Sequence, residues 1–255
     1  MEYADLLQAL FRWVHVVAGI LWIGLLYWFN WVNTPLGAAL DGDTKKKMIP
    51  ELIPRSLFFF RFAAAWTFVA GLLLLILVFY HGGLMFEQGA EGWSVKSFVM
   101  LAVVFLMFPV YDALAKSPVG KNIRVLGVVA FILIAAIVYA MIYWAEFSYR
   151  AYSIHIGVMF GMLMVANVWM RIWPAQKKII PAVKEGTPPD AALVAQTGQR
   201  SRHNTYMSVP LVWAMINSHT VVPGSDSPLW LLGAVLVGWL CVALIYRKSA
   251  KVKGM

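Results

Sequence analysis

The sequence predicts an all-α fold, a polytopic transmembrane helix bundle of about seven spans with its N-terminus outside and its C-terminus inside. Three observations predict it. The 255 residues are 61% hydrophobic and only 13% charged. The apolar residues gather in runs of about 20, the length that crosses roughly 30 Å of hydrocarbon. Lysine and arginine concentrate in every other connection between those runs, as the positive-inside rule requires. Residues 1–255 then form a single membrane domain without room for a second, soluble one.

In chain order the spans fall at 7–32, 58–80, 97–115, 123–145, 149–172, 205–222 and 228–247. Glu2 and Asp5 precede the first span where a cleavable signal would carry positive charge, so that helix is expected to be its own anchor. Pro109 interrupts the third span and Pro210 the sixth, which neighbouring helices tolerate in a bundle. The sixth is short and carries Asn217 and His219.

The basic connections hold Lys45, Lys46, Lys47 and Arg55, then Lys116, Lys121 and Arg124, then Lys177, Lys178, Lys184 and Arg200. The tail adds Arg247, Lys248, Lys251 and Lys253. The alternate connections offer Glu87, Glu91 and Lys96, then Glu146 and Arg150, then Asp226. The net charge of +9 is therefore a topology signal facing a lipid bilayer, and no nucleic-acid partner is expected. The inner membrane of a bacterium, with multiple passes, is the expected location.

The long loop 173–204 is expected on the cytoplasmic side. Interfacial helices are expected to start near Lys177-Lys178-Ile179-Ile180-Pro181 and at Pro188-Pro189-Asp190. The first echoes Lys46-Lys47-Met48-Ile49-Pro50, and each follows a histidine-bearing span, which suggests a parallel internal repeat. Cys241 stands alone in an apolar run, so no disulfide is expected. Most of the 12 tryptophans lie near span ends and read as an aromatic belt.

Four of the five histidines, His15, His81, His155 and His219, lie towards the outer face. An ionisable side chain in hydrocarbon is costly and needs a partner. Imidazoles from separate helices at one depth can share a metal, and the iron of a b-type haem is the commonest such metal in helical membrane proteins. His15 and His155 each sit roughly 12 Å below the outer end of their expected spans, so they are the expected axial ligands. His219 is the first substitute, and His81 reads as an interfacial residue.

Gly19, one turn from His15, offers a flat surface for a macrocycle, and Gly157 and Gly161 allow close helix approach beside His155. Arg12 and Arg150 stand at the outer ends of the same helices, as partners for haem propionates. Each also reads as a snorkelling interfacial arginine. His203 lies about 24 Å along its helix from His219 and belongs to an inner polar site with Arg202 and Asn204. Asp112 is a candidate partner for Arg202.

The run Arg12-Trp13-x-His15-x2-Ala18-Gly19-x2-Trp22-Ile23-Gly24 resembles the opening span of the bacterial membrane-bound urate hydroxylases. Ser201-Arg202-His203-Asn204-Thr205-Tyr206-Met207-Ser208-Val209-Pro210, followed by Asn217-Ser218-His219, resembles the second signature of that membrane domain. The resemblance implies a helical membrane domain that oxidises urate to 5-hydroxyisourate and passes electrons to a periplasmic cytochrome c or cytochrome-bearing subunit. Family members typically add a further helix and a C-terminal cytochrome c domain, whereas this sequence stops at Met255 on the expected inner side. If the substrate is this purine, Arg202, His203 and Asn204 are its expected catalytic site. The rival readings are a non-enzymatic subunit of a respiratory complex and a small-molecule transporter, with the histidines as proton or substrate contacts.

Overall fold

A computed structural model describes residues 2–87, 92–217 and 227–252, and these are helical almost throughout. Helix α1 (Glu2–Tyr27) widens into a π-helical turn at Trp28–Asn33 and resumes as α2 (Thr34–Ala39). Helix α3 (Gly42–Leu74) ends in a second π turn at Leu75–Tyr80. Then come α4 (Val95–Lys116), the single turn α5 (Pro118–Lys121) and α6 (Ile123–Tyr139), with a π turn at Ala140–Trp144. Helix α7 (Tyr149–Asn167) passes through a π turn at Val168–Ile172 into α8 (Trp173–Glu185). Helices α9 (Ala191–Asn217) and α10 (Leu229–Ser249) complete the chain.

Short polar side chains start these helices by satisfying amide donors that have no partner inside the helix. The Asp41 carboxylate accepts from the Thr44 amide at 2.9 Å and from its hydroxyl at 2.7 Å, which holds that carboxyl below its ordinary range. Ser94, Asn122 and Ser148 cap α4, α6 and α7 in the same way.

Among the described residues, six stretches are long and apolar enough to cross a membrane: Tyr3–Ala39, Gly42–Tyr80, Val95–Lys116, Ile123–Trp144, Tyr149–Glu185 and Leu229–Ser249. The protein is a multi-pass membrane protein. Its seventh long helix is α9, and here the structure differs from the sequence reading. The expected loop 173–204 is helical except around 186–190, and α9 begins fourteen residues before the expected start at 205. The polar run Gln199–Asn204 lowers the hydropathy as a loop would, but Gln199, Ser201, His203 and Asn204 find partners inside the bundle. Asp190 does start a helix, its Oδ1 accepting from the Ala192 amide at 2.7 Å. The outer part of the expected sixth span, with His219, lies outside the described residues.

Helix α7 is the centre of the bundle. Its most apolar stretch is 78% buried, against 11–33% in the other five spans. It packs on α9, α4 and α3, while α1 packs on α3 and α10 on α9. Gly157 and Gly161 do permit close approach. A Cβ on Gly157 would stand 3.3 Å from that of Ala214, and one on Gly161 would stand 3.4 Å from Leu211. Gly238 of α10 likewise lies against the ring of Pro210.

The π turns begin thirteen residues after His15 and thirteen after His155, and each leads into a helix with proline in its first turn. Helices α3 and α8, which carry the two echoing Lys-Lys segments, pack side by side. Gly186, at φ +75°, closes α8 beside the Lys46 ammonium.

Cysteine accessibility tests the topology, with Cys241→Ser removing the exposed native thiol. A membrane-impermeant maleimide applied to intact cells is expected to label Glu87→Cys at once, and Lys46→Cys only after permeabilisation. The opposite pattern would invert the bundle.

Candidate functional site

His15 and His155 have separate hydrogen-bond partners, and His219 lies outside the described residues. His15, half-buried on α1, donates its Nδ1–H to the Thr67 carbonyl at 2.7 Å. Its ring lies against Gly71, where a Cβ would stand 2.7 Å from the imidazole Cε1. The glycine that accommodates this ring is thus Gly71 of α3, and Gly19 instead faces Thr67. His155 is fully buried on α7. It donates Nδ1–H to the Ala151 carbonyl at 2.7 Å, and its Nε2 is 3.1 Å from the Tyr80 hydroxyl.

Both imidazoles therefore keep Nε2 as the lone-pair nitrogen, the tautomer in which metal-ligating histidines are held. Their settings differ in level, however. His15 meets α3 at Gly71 and His155 meets its outer end at Tyr80, nine residues on, or roughly 13 Å along the axis. Helix α1 starts at Glu2, five residues before the expected span start at 7. As packed here, with the His155 lone pair facing Tyr80, the pair does not fit the two faces of one haem b. Arg12 is exposed and Arg150 half-buried, and neither forms an ion pair among the described residues. His81 is exposed at the outer end of α3.

The inner half of α9 holds the denser chemistry. Arg202, His203 and Asn204 do not form one constellation, because successive helical residues diverge by about 100°. Arg202 is exposed, its guanidinium 5.0 Å from the Tyr246 ring of α10. His203 turns to α4, its Nδ1 2.9 Å from the Tyr111 hydroxyl. Asn204 turns to α7, accepting from Asn167 Nδ2 at 2.8 Å and donating to the Met164 carbonyl at 3.0 Å.

Asp112 pairs not with Arg202 but with three other cations. Arg171 of the α7–α8 turn grips it through Nε at 2.8 Å and Nη2 at 2.6 Å. Arg200 Nη2 reaches it at 2.8 Å and Lys116 Nζ at 2.6 Å. The Arg200 side chain is only 1% exposed and lies 5.0 Å from the Tyr111 ring. Its Nε and Nη1 have no hydrogen-bond partner among the described residues, and neither does Asn167 Oδ1. Asn167 also donates to the Tyr111 oxygen at 2.9 Å. Two buried donors and one buried acceptor thus stand unused around a Tyr111–His203 couple.

Arg200, Tyr111, Asn167 and Arg171 were not singled out as a site by the sequence reading. The usable signal was polar residues inside apolar spans, where each needs a partner. A cavity of about 450 Å³ opens beside this centre between α6 and the bundle. Tyr111 and His203 lie at its polar end and apolar residues form most of its wall.

A family model, urate oxidase N-terminal, matches residues 37–252. No curated protein and no solved structure matches the chain.

The contact between His15 and Gly71 is testable by overpacking. Gly71→Ala is expected to destabilise the detergent-solubilised protein by about 1–3 kcal/mol, because the ring must shift. Adding His15→Ala to Gly71→Ala should recover part of that loss. Thermal unfolding of the three variants checks both, and an unchanged melting temperature in Gly71→Ala would contradict the packing.

Proposed function

The chain belongs to the urate oxidase N-terminal family, and from that premise we propose that it is the membrane part of a urate-oxidising system centred on Arg200, Tyr111, His203 and Asn167. The observation that carries this reading is the set of unpartnered buried groups, Arg200 Nε and Nη1 with Asn167 Oδ1. Buried polar atoms are ordinarily satisfied by protein, water or ligand, so such a cluster supports a polar ligand here. Urate is planar and anionic, with alternating carbonyl and N–H groups on its rim. The guanidinium edge suits its carbonyls, and the amide oxygen accepts an N–H.

In this reading urate and water give 5-hydroxyisourate, two protons and two electrons, the water oxygen forming the new bond to carbon. The Tyr111 oxygen takes a substrate proton while its own passes to His203 Nδ1, the atom it already faces at 2.9 Å. Asn204 is a positioning residue, since it holds the Asn167 amide. Arg171, Lys116 and Arg200 share the Asp112 carboxylate, which holds Arg200 in place. The electrons leave to the acceptor the family resemblance implies, a periplasmic cytochrome c or cytochrome-bearing subunit outside a bacterial inner membrane. No step of this reading is assigned to a haem.

Turnover by the purified chain with urate and cytochrome c tests the proposal. Asn167→Leu is expected to lower kcat/KM by about 10–100-fold, the loss of a buried hydrogen bond to a charged or polar ligand. Absence of urate consumption by the unaltered protein with any cytochrome c contradicts the reading. So does accumulation of unaltered urate in vesicles, which would favour transport.

A further inference from the structure

The cavity beside α6 has features that urate chemistry does not use. Its volume of about 450 Å³ lies within the range of small-molecule sites. Its walls include Phe131, Ile134, Phe160 and Leu163, unsuited to a purine that needs hydrogen bonds along its whole rim. Helix α6 makes only slight contact with α7 and α10, so the cavity is a slot along a loosely attached helix within the membrane.

Tyr111 and His203 line the slot without a charge of their own, and Arg124 and Tyr206 line it as well. The Tyr111 oxygen already accepts from Asn167, so its proton is directed to His203 Nδ1. That leaves Nε2 of His203 as the protonated nitrogen, a hydrogen-bond donor on a residue that lines the slot. The nearby Arg200 shares Asp112 with Arg171 and Lys116 and does not line the slot. A ligand that meets the His203 donor and the apolar wall carries a carbonyl at one end and a flexible apolar chain behind it.

We propose that this slot binds a lipid-soluble quinone, whose carbonyl oxygen accepts the Nε2–H of His203 and whose isoprenoid tail lies along Phe131, Ile134, Phe160 and Leu163. Such a molecule diffuses in the bilayer and reaches the slot laterally. The rival occupant is an anionic phospholipid with its phosphate on Arg124, which is exposed at the inner start of α6 and also lines the slot. That arrangement leaves the His203 donor unmet in an apolar wall. The proposal is about binding and stands whether or not the chain oxidises urate.

The experiment titrates the detergent-purified full chain with a decyl-benzoquinone. Tryptophan quenching follows occupancy, since Trp239 lines the slot, and native mass spectrometry gives the stoichiometry. Saturable binding of one quinone per chain is expected. Gly127→Phe fills the slot from a position where a Cβ meets nothing nearer than Trp239 at 4.0 Å. That variant and His203→Leu should each weaken binding by about tenfold or more, the first by occlusion and the second by removing the donor. Trp239→Phe should remove most of the quenching while the bound mass persists. Non-saturable partitioning overturns the proposal, as does equal affinity in Gly127→Phe. A co-purifying phospholipid that the quinone does not displace overturns it in favour of the lipid.

Discussion

Five consecutive residues of α9 tie the inner half of this bundle together. Arg200 reaches Asp112 of α4, Ser201 accepts from Asn30 of the α1–α2 turn at 2.8 Å, and Arg202 lies on Tyr246 of α10. His203 meets Tyr111 of α4 and Asn204 meets Asn167 of α7. Just before them, Gln199 binds the carbonyls of Ala115 and Gly120, fixing the turn between α4 and α6. Between apolar helices in lipid there is no hydrophobic drive to associate, so such bonds and close contacts carry the specificity of packing. A helical twist of about 100° per residue distributes one short polar run to four neighbours.

The same constraint explains what could and could not be read from the chain. Span positions were legible for α4, α6 and α10 because apolar runs flanked by Lys and Arg need no tertiary information. The helical continuation of α1 and α7 beyond residues 32 and 172 was not, because Pro35 and Pro174, with polar residues beyond them, read as the ends of spans. Helix α9 was misplaced because a polar run held by neighbours looks like a loop until the neighbours are known. The histidines show the converse limit. Spacing from a span end gives depth only when that end is known, and α1 starts five residues before the expected one. His203 was singled out from sequence, but the residues around it, Tyr111, Asn167 and Arg200, were not, two of them being distant in sequence.

Two polar regions thus divide the molecule. Near the outer side, Ser148, Glu87 and the Lys96–Glu146 pair knit the ends of α3, α4 and α7 around a buried His155. Near the inner side, buried donors and an acceptor stand unused beside a Tyr–His couple and an apolar slot. The inner region has the features of a ligand site. The outer one also holds buried hydroxyls without a partner among the described residues, those of Tyr149 and Ser153.

A double-mutant cycle on Asp112 and Arg200 tests the central role of the α9 polar run. Arg200 is almost fully buried, whereas Lys116 and Arg171 retain access to water, so loss of Asp112 strands Arg200 above all. Asp112→Leu and Arg200→Met are each expected to destabilise the detergent-solubilised protein by roughly 3–5 kcal/mol. The double variant should lose less than the sum by about 2 kcal/mol or more, since neither charge is then left alone. Additive effects, or single variants within about 0.5 kcal/mol of the unaltered protein, would show that this ion pair does not hold the bundle together.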